Sequence, residues 1–184
     1  MELRRAGWIE VICGSMFSGK TEELLRRVRR AKIAKHDVLL VKPKMDNRYS
    51  ENSVVTHEGI EHIALPLSTS QEILTSIQDQ SIVAIDEAQF FDNDLPKVVA
   101  QLANKGIRVI VAGLDMDFQG RPFGPMPEIL AMAEYVKKTH AICVKCGQLA
   151  HFSFRTTGSD SQVELGAIDK YQALCRSCYK ESNK

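Results

Sequence analysis

Residues 14–21 form a turn whose residue types suit the binding of nucleotide phosphates. The segment satisfies G-x-x-x-x-G-K-[ST] completely. Its glycines let several backbone N–H groups converge on phosphate oxygens, and the positive end of a following helix attracts the anion. We expect Lys20 to reach the β- and γ-phosphates and Thr21 to bind Mg²⁺. The candidate nucleotide-binding residues are Gly14, Ser15, Met16, Phe17, Ser18, Gly19, Lys20 and Thr21.

Two consecutive carboxylates, Asp86 and Glu87, follow the short apolar run at residues 82–85. Ligands bind at the carboxyl edge of an open α/β sheet, where the first carboxylate can hold Mg²⁺ and the second can act as a base. Such a pair is weak evidence alone, because carboxylates commonly begin loops. Together with the complete phosphate-binding motif, it predicts phosphoryl-transfer chemistry.

Four of the five cysteines form two C-x-x-C pairs separated by 28 residues. Two such pairs favour a tetrahedral Zn²⁺ site over a redox role, and four thiolates leave no open position for catalysis. We therefore expect a structural zinc ion that clamps the base of a hairpin or loop. The predicted ligands are Cys143, Cys146, Cys175 and Cys178, whereas Cys13 is read as a small buried apolar residue.

The elements that must position these groups alternate between apolar strands and amphipathic helices. Strands are expected at 8–13, 38–41, 82–85 and 107–112, with Pro43 opening a loop. Helices are expected at 22–34, within 69–78, after a cap at Asp92 or Asn93, and from residue 127 or 128 to about Lys138 with Val136 inward. This order predicts an α/β fold with a mainly parallel sheet flanked by helices, like that of P-loop NTPases.

Length and composition place limits on the class of protein. With 184 residues, 44% of them hydrophobic, the chain predicts one α/β domain at 1–140 and a small zinc-binding module at 141–184. The net charge of +1 supplies no general attraction for nucleic acid, and no apolar run is long enough for a membrane span. Reduced cysteines and the lack of an export signal lead us to expect a cytoplasmic protein.

The combined motifs resemble those of the type II thymidine kinases, nucleoside kinases that carry a zinc module. The resemblance covers residues 8 to about 179 and rests on GSMFSGKT, KPKMDNRY, IDEAQFF, GLDMDFQGRPFG, CVKC, DKYQALC and RSCY. It implies Mg²⁺-dependent transfer of the ATP γ-phosphate to the 5′-hydroxyl of thymidine, in pyrimidine salvage for DNA synthesis. It also implies a homotetramer with feedback inhibition by thymidine triphosphate.

The same resemblance assigns roles to individual residues. It implies that Glu87 is the catalytic base, that Asp86 organises Mg²⁺, and that Asp46, Arg48 and Gln89 lie on the nucleotide side. Leu114, Phe118 and Phe123 are expected to line the thymine site, where an aromatic face suits a pyrimidine ring. A lasso between the cysteine pairs is expected to cover thymidine, with contacts from Val163, Glu164, Leu165, Gly166, Ala167 and Tyr171.

Two other functions remain as alternatives. A P-loop ATPase could use Glu87 to activate water and the zinc module to grip nucleic acid. The run RRVRRAKIAK gives some support, but its arginines are most simply a solvated helix surface, and residues 143–184 carry only six basic against four acidic residues. A nucleotide sensor without catalysis is the least favoured, because Lys20, Thr21, Asp86 and Glu87 are all present.

Overall fold

A six-stranded parallel sheet forms the centre of the protein. The computed structural model describes residues 7–45, 53–55, 61–156 and 170–183. Its strands are β1 (Trp8–Gly14), β2 (Val38–Pro43), β5 (Leu65–Leu67), β6 (Ile82–Ile85), β7 (Arg108–Gly113) and β8 (Tyr135–Thr139). Their order in the sheet is β5-β2-β6-β7-β1-β8, and every neighbouring pair is parallel.

Helices cover both faces of the sheet, as the apolar strands require. In β6 the side chains alternate: Val83 and Ile85 pack on one core, while Ile82 and Ala84 pack on the other. The first core is covered mainly by α3 and α4, and the second by α1. The helices are α1 (Lys20–Ile33), α2 (Gln71–Ser76), α3 (Leu95–Asn104), α4 (Met126–Met132) and α5 (Arg176–Ser182).

The predicted helix from residue 127 or 128 to about Lys138 is wrong in its second half. Helix α4 ends at Met132, and the chain continues as β8, which pairs with β1 in parallel. Val136 lies on this edge strand and is 52% exposed instead of facing inward. The helical spacing of Ile129, Met132, Ala133 and Val136 was therefore outweighed by backbone pairing with the edge of the sheet.

Two smaller differences concern element boundaries. Strand β2 includes Pro43, which pairs with Leu67 of the edge strand β5, so the loop begins later than expected. Asp92 does not directly cap α3. Its carboxylate accepts hydrogen bonds from the backbone N–H and hydroxyl of Ser70, at 2.8 and 2.5 Å, and thereby ties α2 to the start of α3.

The C-terminal residues form short antiparallel pairs around the cysteines. Strand β9 (Ala141–Ile142) pairs with β10 (Leu149–Ala150), and β11 (Phe152–Arg155) pairs with β12 (Tyr171–Leu174). Another antiparallel pair joins β3 (Ser53–Val55) to β4 (Glu61–Ile63). Cys175 directly follows β12, so the cysteine cluster and α5 adjoin the Phe152–Leu174 end of the β11–β12 pair, and the expected lasso connects to the other end, between Arg155 and Tyr171. Among the described residues, no helix is both long and apolar enough to cross a membrane.

Candidate active site

The phosphate-binding turn lies between β1 and α1 and is held by its own short contacts. Lys20 Nζ donates to the carbonyl of Ser15 at 2.8 Å, and the hydroxyl of Ser18 donates to the same carbonyl at 2.7 Å. Gly14 has φ +146°, and a Cβ there would lie 2.2 Å from the carbonyl oxygen of Thr139, so a side chain cannot be accommodated. The sequence motif therefore folds as the compact turn that it predicts.

Thr21 and Asp86 meet across the carboxyl edge of the sheet. The hydroxyl of Thr21 lies 3.2 and 3.4 Å from the two carboxylate oxygens of Asp86. Asp86 is 5% exposed and is anchored through its backbone N–H, which donates to the carbonyl of Val41 on β2. A hydroxyl and a carboxylate are the oxygen ligands that Mg²⁺ prefers, so these two residues fit a Mg²⁺ site.

Glu87 adopts a backbone conformation that is rare for a residue with a side chain. Its φ is +50°, and a 3₁₀ turn over Ala88–Phe90 follows directly. The carboxylate accepts a hydrogen bond of 2.6 Å from the amide nitrogen of Gln89. Non-glycine residues in this region persist where the surrounding structure holds them, and they concentrate at functional sites. The predicted base therefore occupies a strained, well-anchored position.

Gln89 connects Glu87 to the loop between β7 and α4. While its amide nitrogen donates to Glu87, its amide oxygen accepts from the backbone N–H of Leu114 at 2.9 Å. Gln89 is 3% exposed, and Gly124 approaches its backbone so closely that a Cβ would lie 2.5 Å from its carbonyl oxygen. The predicted base and the predicted thymine-lining loop are thus joined by one buried amide.

The predicted thymine-site residues are distributed along and beside that loop. Leu114 and Phe123 are buried, and the Phe123 ring contacts the Phe90 ring edge-on with centroids 5.7 Å apart. Phe118 lies farther along the loop, and its carbonyl accepts a hydrogen bond of 2.8 Å from the hydroxyl of Tyr179 on α5. Tyr171 begins β12. Phe118 and Tyr171 come together through the guanidinium of Arg155.

The cysteine module packs against the phosphate-binding turn. Ser153 on β11 accepts a hydrogen bond of 2.9 Å from the backbone N–H of Met16, and Phe17 packs on the apolar core of the module. Thr139, just before the module, has its hydroxyl 2.9 Å from that of Ser18. The module is therefore in direct contact with the turn that is expected to hold phosphate.

All four predicted metal ligands converge. Their sulfur atoms lie within 4.8 Å of one another, which suits a tetrahedral ion whose Zn–S bonds of about 2.3 Å place the sulfurs about 3.8 Å apart. Burial opposes ionisation of Cys143, but backbone N–H groups hold its pKa down to about 6. Hydrogen bonds to Cys175 and Cys146 raise the pKa of Cys178 to about 12. A bound cation would favour the thiolate form of all four cysteines, and their convergence fits zinc.

Several predicted residues lie outside the part of the chain that the structure describes, and their roles stay predictions. Asp46 and Arg48 belong to this set, as does the lasso segment Val163, Glu164, Leu165, Gly166 and Ala167. Cys13, in contrast, is only 1% exposed, as expected for a small residue of the core.

The structure also adds residues to the site that sequence reasoning missed. Ser153, Arg155 and Tyr179 come from the module and contact the turn at 14–21 or the loop around Phe118. Nothing in their spacing marks them. The aromatic residues beside Arg155 in FSFR were the one available signal, since buried arginines often stack on rings.

A second charged cluster lies beside the amino-terminal halves of β1 and β7 and extends to Glu23 in the first turn of α1. Glu10 accepts hydrogen bonds from Arg108 and Arg27, and Glu23 also pairs with Arg27. Arg27 has 16% of its side chain exposed, so the expectation of a solvated arginine surface is wrong at this position. Burial alone would raise the pKa of Glu10, but hydrogen bonds from Arg108, Trp8 and Arg27 lower it below its ordinary value.

Comparison with known proteins places this chain in a family. A family model described as thymidine kinase matches residues 7–179. A protein of Bacteroides thetaiotaomicron named thymidine kinase is 58% identical and covers 97% of this chain and 89% of its own length. Proteins of the same name from Porphyromonas gingivalis and a Rhodothermus species are each 55% identical, covering 96% and 95% of this chain and 87% and 82% of theirs.

Proposed function

This chain belongs to the thymidine kinase family, and from that premise we propose that it transfers the γ-phosphate of ATP to the 5′-hydroxyl of thymidine. The product would be thymidine monophosphate, as in pyrimidine salvage for DNA synthesis. The observation that carries the proposal is the buried link Glu87–Gln89–Leu114, which joins the expected base to the expected thymine loop. Phosphoryl transfer needs the base and the nucleoside to be held in a fixed relative position, because catalysis rests mainly on positioning and electrostatics.

The turn at 14–21 would hold the phosphates of ATP. Backbone N–H groups of the turn and the start of α1 supply fixed partial positive charge. The ammonium of Lys20, which donates a hydrogen bond to the Ser15 carbonyl, would turn towards the β- and γ-phosphates. Thr21 and Asp86 would hold Mg²⁺, which supplies positive charge against the developing negative charge when bound. Asp46 and Arg48 would add to the nucleotide side.

Glu87 would accept the proton of the 5′-hydroxyl as the oxygen attacks phosphorus. The hydrogen bond from Gln89 fixes the orientation of the carboxylate. The general-base contribution expected for such a group is roughly 10²- to 10⁴-fold. Because Gln89 also accepts a hydrogen bond from the Leu114 N–H, the same amide would fix the position of the Glu87 carboxylate relative to the nucleoside.

The module at 141–184 would close on the nucleoside. Residues 163–167 and Tyr171 would cover thymidine, with Phe118, Leu114 and Phe123 as the walls around thymine. Zinc at the four cysteines would hold both ends of the lasso, which reduces the conformational entropy lost when the segment closes. Reduced thiolates also agree with the cytoplasmic location that we propose.

The decisive experiment is a panel of nucleosides with ATP and Mg²⁺, read as formation of 5′-monophosphates. We expect thymidine to be the preferred acceptor, with purified protein containing about one zinc per chain. The rival is a nucleic-acid ATPase, so ATP consumption is measured in parallel with single-stranded DNA. Stimulation by DNA alone would contradict the kinase proposal.

Assembly and regulation form a separate part of the proposal. From its family, we propose that the protein forms a homotetramer. We also propose that thymidine triphosphate, which forms at the end of the salvage route, inhibits it. Sedimentation of the purified protein tests the assembly. Comparing inhibition by thymidine triphosphate with inhibition by thymidine monophosphate tests the regulation. A monomer whose activity is insensitive to the triphosphate would contradict both.

A further inference from the structure

Arg155 is a buried cation placed among the aromatic residues expected to surround the nucleobase. It ends β11 and is only 9% exposed. Its guanidinium carbon lies 3.7 Å from the centroid of the Phe118 ring, so the cation covers one face of that ring. The same side chain donates from Nε to the hydroxyl of Tyr171 at 3.1 Å.

These contacts join segments that are far apart in the chain. Phe118 belongs to the β7–α4 loop, Arg155 to β11 and Tyr171 to β12. The Phe118 backbone is held separately, because its carbonyl accepts the hydrogen bond from Tyr179. Arg155 thus fixes the ring of Phe118, while Tyr179 fixes its backbone. A planar guanidinium can stack on one ring and donate to another residue at once, which a lysine ammonium cannot do in the same geometry.

We infer that Arg155 is a positioning residue for the nucleobase. By covering one face of Phe118, it leaves the opposite face for a pyrimidine ring, and its hydrogen bond sets Tyr171 beside the same site. This inference rests on the proposed function, because it takes the nucleobase to stack on Phe118. Arg155 acts through the two aromatic residues and needs no contact with the substrate.

The test compares Arg155→Met with Arg155→Lys. Methionine retains much of the apolar stem, and lysine retains the charge but not the planar donor. We expect both substitutions to raise the KM for thymidine about tenfold, within the range of a desolvated cation–π contact. The kcat at saturating thymidine and the KM for ATP should change less than twofold. Tyr171→Phe removes only the hydrogen-bond acceptor and should raise the thymidine KM about threefold.

Arg176→Met is the matched control, since the Arg176 guanidinium lies 5.1 Å from the ring centroid of Phe152 in the same module but does not contact Phe118. Its thymidine KM should stay unchanged at equal zinc content. Equal increases in the KM values for ATP and thymidine in Arg155→Met would overturn the inference. A normal thymidine KM in Arg155→Lys would overturn it too. A lower thymidine KM in Arg155→Met would overturn it as well, because Arg155 would then compete with the nucleobase for Phe118.

Calorimetric binding of thymidine separates this inference from the proposed function. A wild-type protein that binds thymidine without phosphorylating it would overturn the proposed reaction, yet the loss of affinity in Arg155→Met would still support the positioning role. Equal thymidine affinity in wild type, Arg155→Met and Tyr171→Phe would overturn the positioning role whatever the turnover.

Discussion

The phosphate side and the nucleoside side of the site are built differently. The turn at 14–21 follows one strand and begins one helix, and its Lys20 and Ser18 both donate to the carbonyl of Ser15. On the nucleoside side, Phe118, Arg155 and Tyr171 come from three different segments, the β7–α4 loop, β11 and β12. In the proposed function, local chain geometry would prepare phosphate binding, whereas nucleoside binding would depend on the packing of the cysteine module.

Specific contacts nevertheless connect the two sides of the site. Ser153 and Phe17 connect the module to the phosphate-binding turn, and Gln89 connects Glu87 to the thymine loop. Changes on the phosphate side should therefore act on the chemical step, while changes in the module should act first on the affinity for nucleoside. The following predictions test that separation.

The largest effect is expected for Lys20→Ala. Loss of the ammonium removes the positive charge at the β- and γ-phosphates, so turnover should fall below detection while thymidine still binds. Monophosphate formation and calorimetric thymidine binding measure the two properties. Lys32→Ala, at an exposed position of the same helix α1, is the control and should keep normal activity. Normal turnover in Lys20→Ala would contradict the role of this turn.

Glu87→Gln should lower kcat roughly 10²- to 10⁴-fold, because the amide cannot accept the proton of the 5′-hydroxyl. ATP should still bind with an affinity near that of the wild type, as measured by calorimetry. The control is Glu128→Gln on the exposed face of α4, for which we expect an unchanged rate. An unchanged rate in Glu87→Gln itself would remove this residue from the role of base.

Loss of the metal should affect the nucleoside side more than the phosphate side. Cys146→Ser removes one exposed thiolate of the cluster, and we expect zinc to be lost and thymidine affinity to fall about tenfold, or about 1.4 kcal/mol. The physical reason is the added entropy of closing a segment whose ends are no longer fixed. ATP affinity should change less than threefold.

Cys13→Ala is the control for metal content, because Cys13 lies buried in β1 and outside the cluster. It should retain zinc by elemental analysis. Equal losses of ATP and thymidine affinity in Cys146→Ser would mean that the module supports both sides alike, through the contacts of Ser153 and Phe17.

The same contrast explains how much could be predicted from sequence. The turn at 14–21, the carboxylates that follow β6 and the four cysteines are confirmed in their expected places, because each depends on a local motif. The helix beyond Met132 was wrong, since pairing of β8 with β1 is decided by residues distant in sequence. Arg155 was missed for the same reason: its function arises only when Phe118 and Tyr171 are brought to it.

The smallest effect on activity is expected far from both sides, at Glu10. Glu10→Gln leaves Arg27 and Arg108 without their shared carboxylate and should cost about 2 kcal/mol of stability, between the values for exposed and buried ion pairs. Because the folded protein lowers the pKa of Glu10, the pair contributes stability above the carboxyl's ordinary pKa near 4.5. That contribution is lost as the pH falls through the folded value.

Thermal unfolding measured from pH 7 down to pH 3 checks this prediction. The control is Lys97→Gln, which removes an exposed ion pair with Asp94; the two side chains are 78% and 55% exposed. The control should change the stability little, because exposed ion pairs contribute little. The difference between wild type and Glu10→Gln should shrink below about pH 4.5, since protonated Glu10 no longer pairs with the arginines. The KM values for ATP and thymidine should stay unchanged in Glu10→Gln, because Glu10 lies in the amino-terminal half of β1, whereas the candidate site lies at the carboxyl edge of the sheet. A change in either KM would show that this cluster belongs to the site.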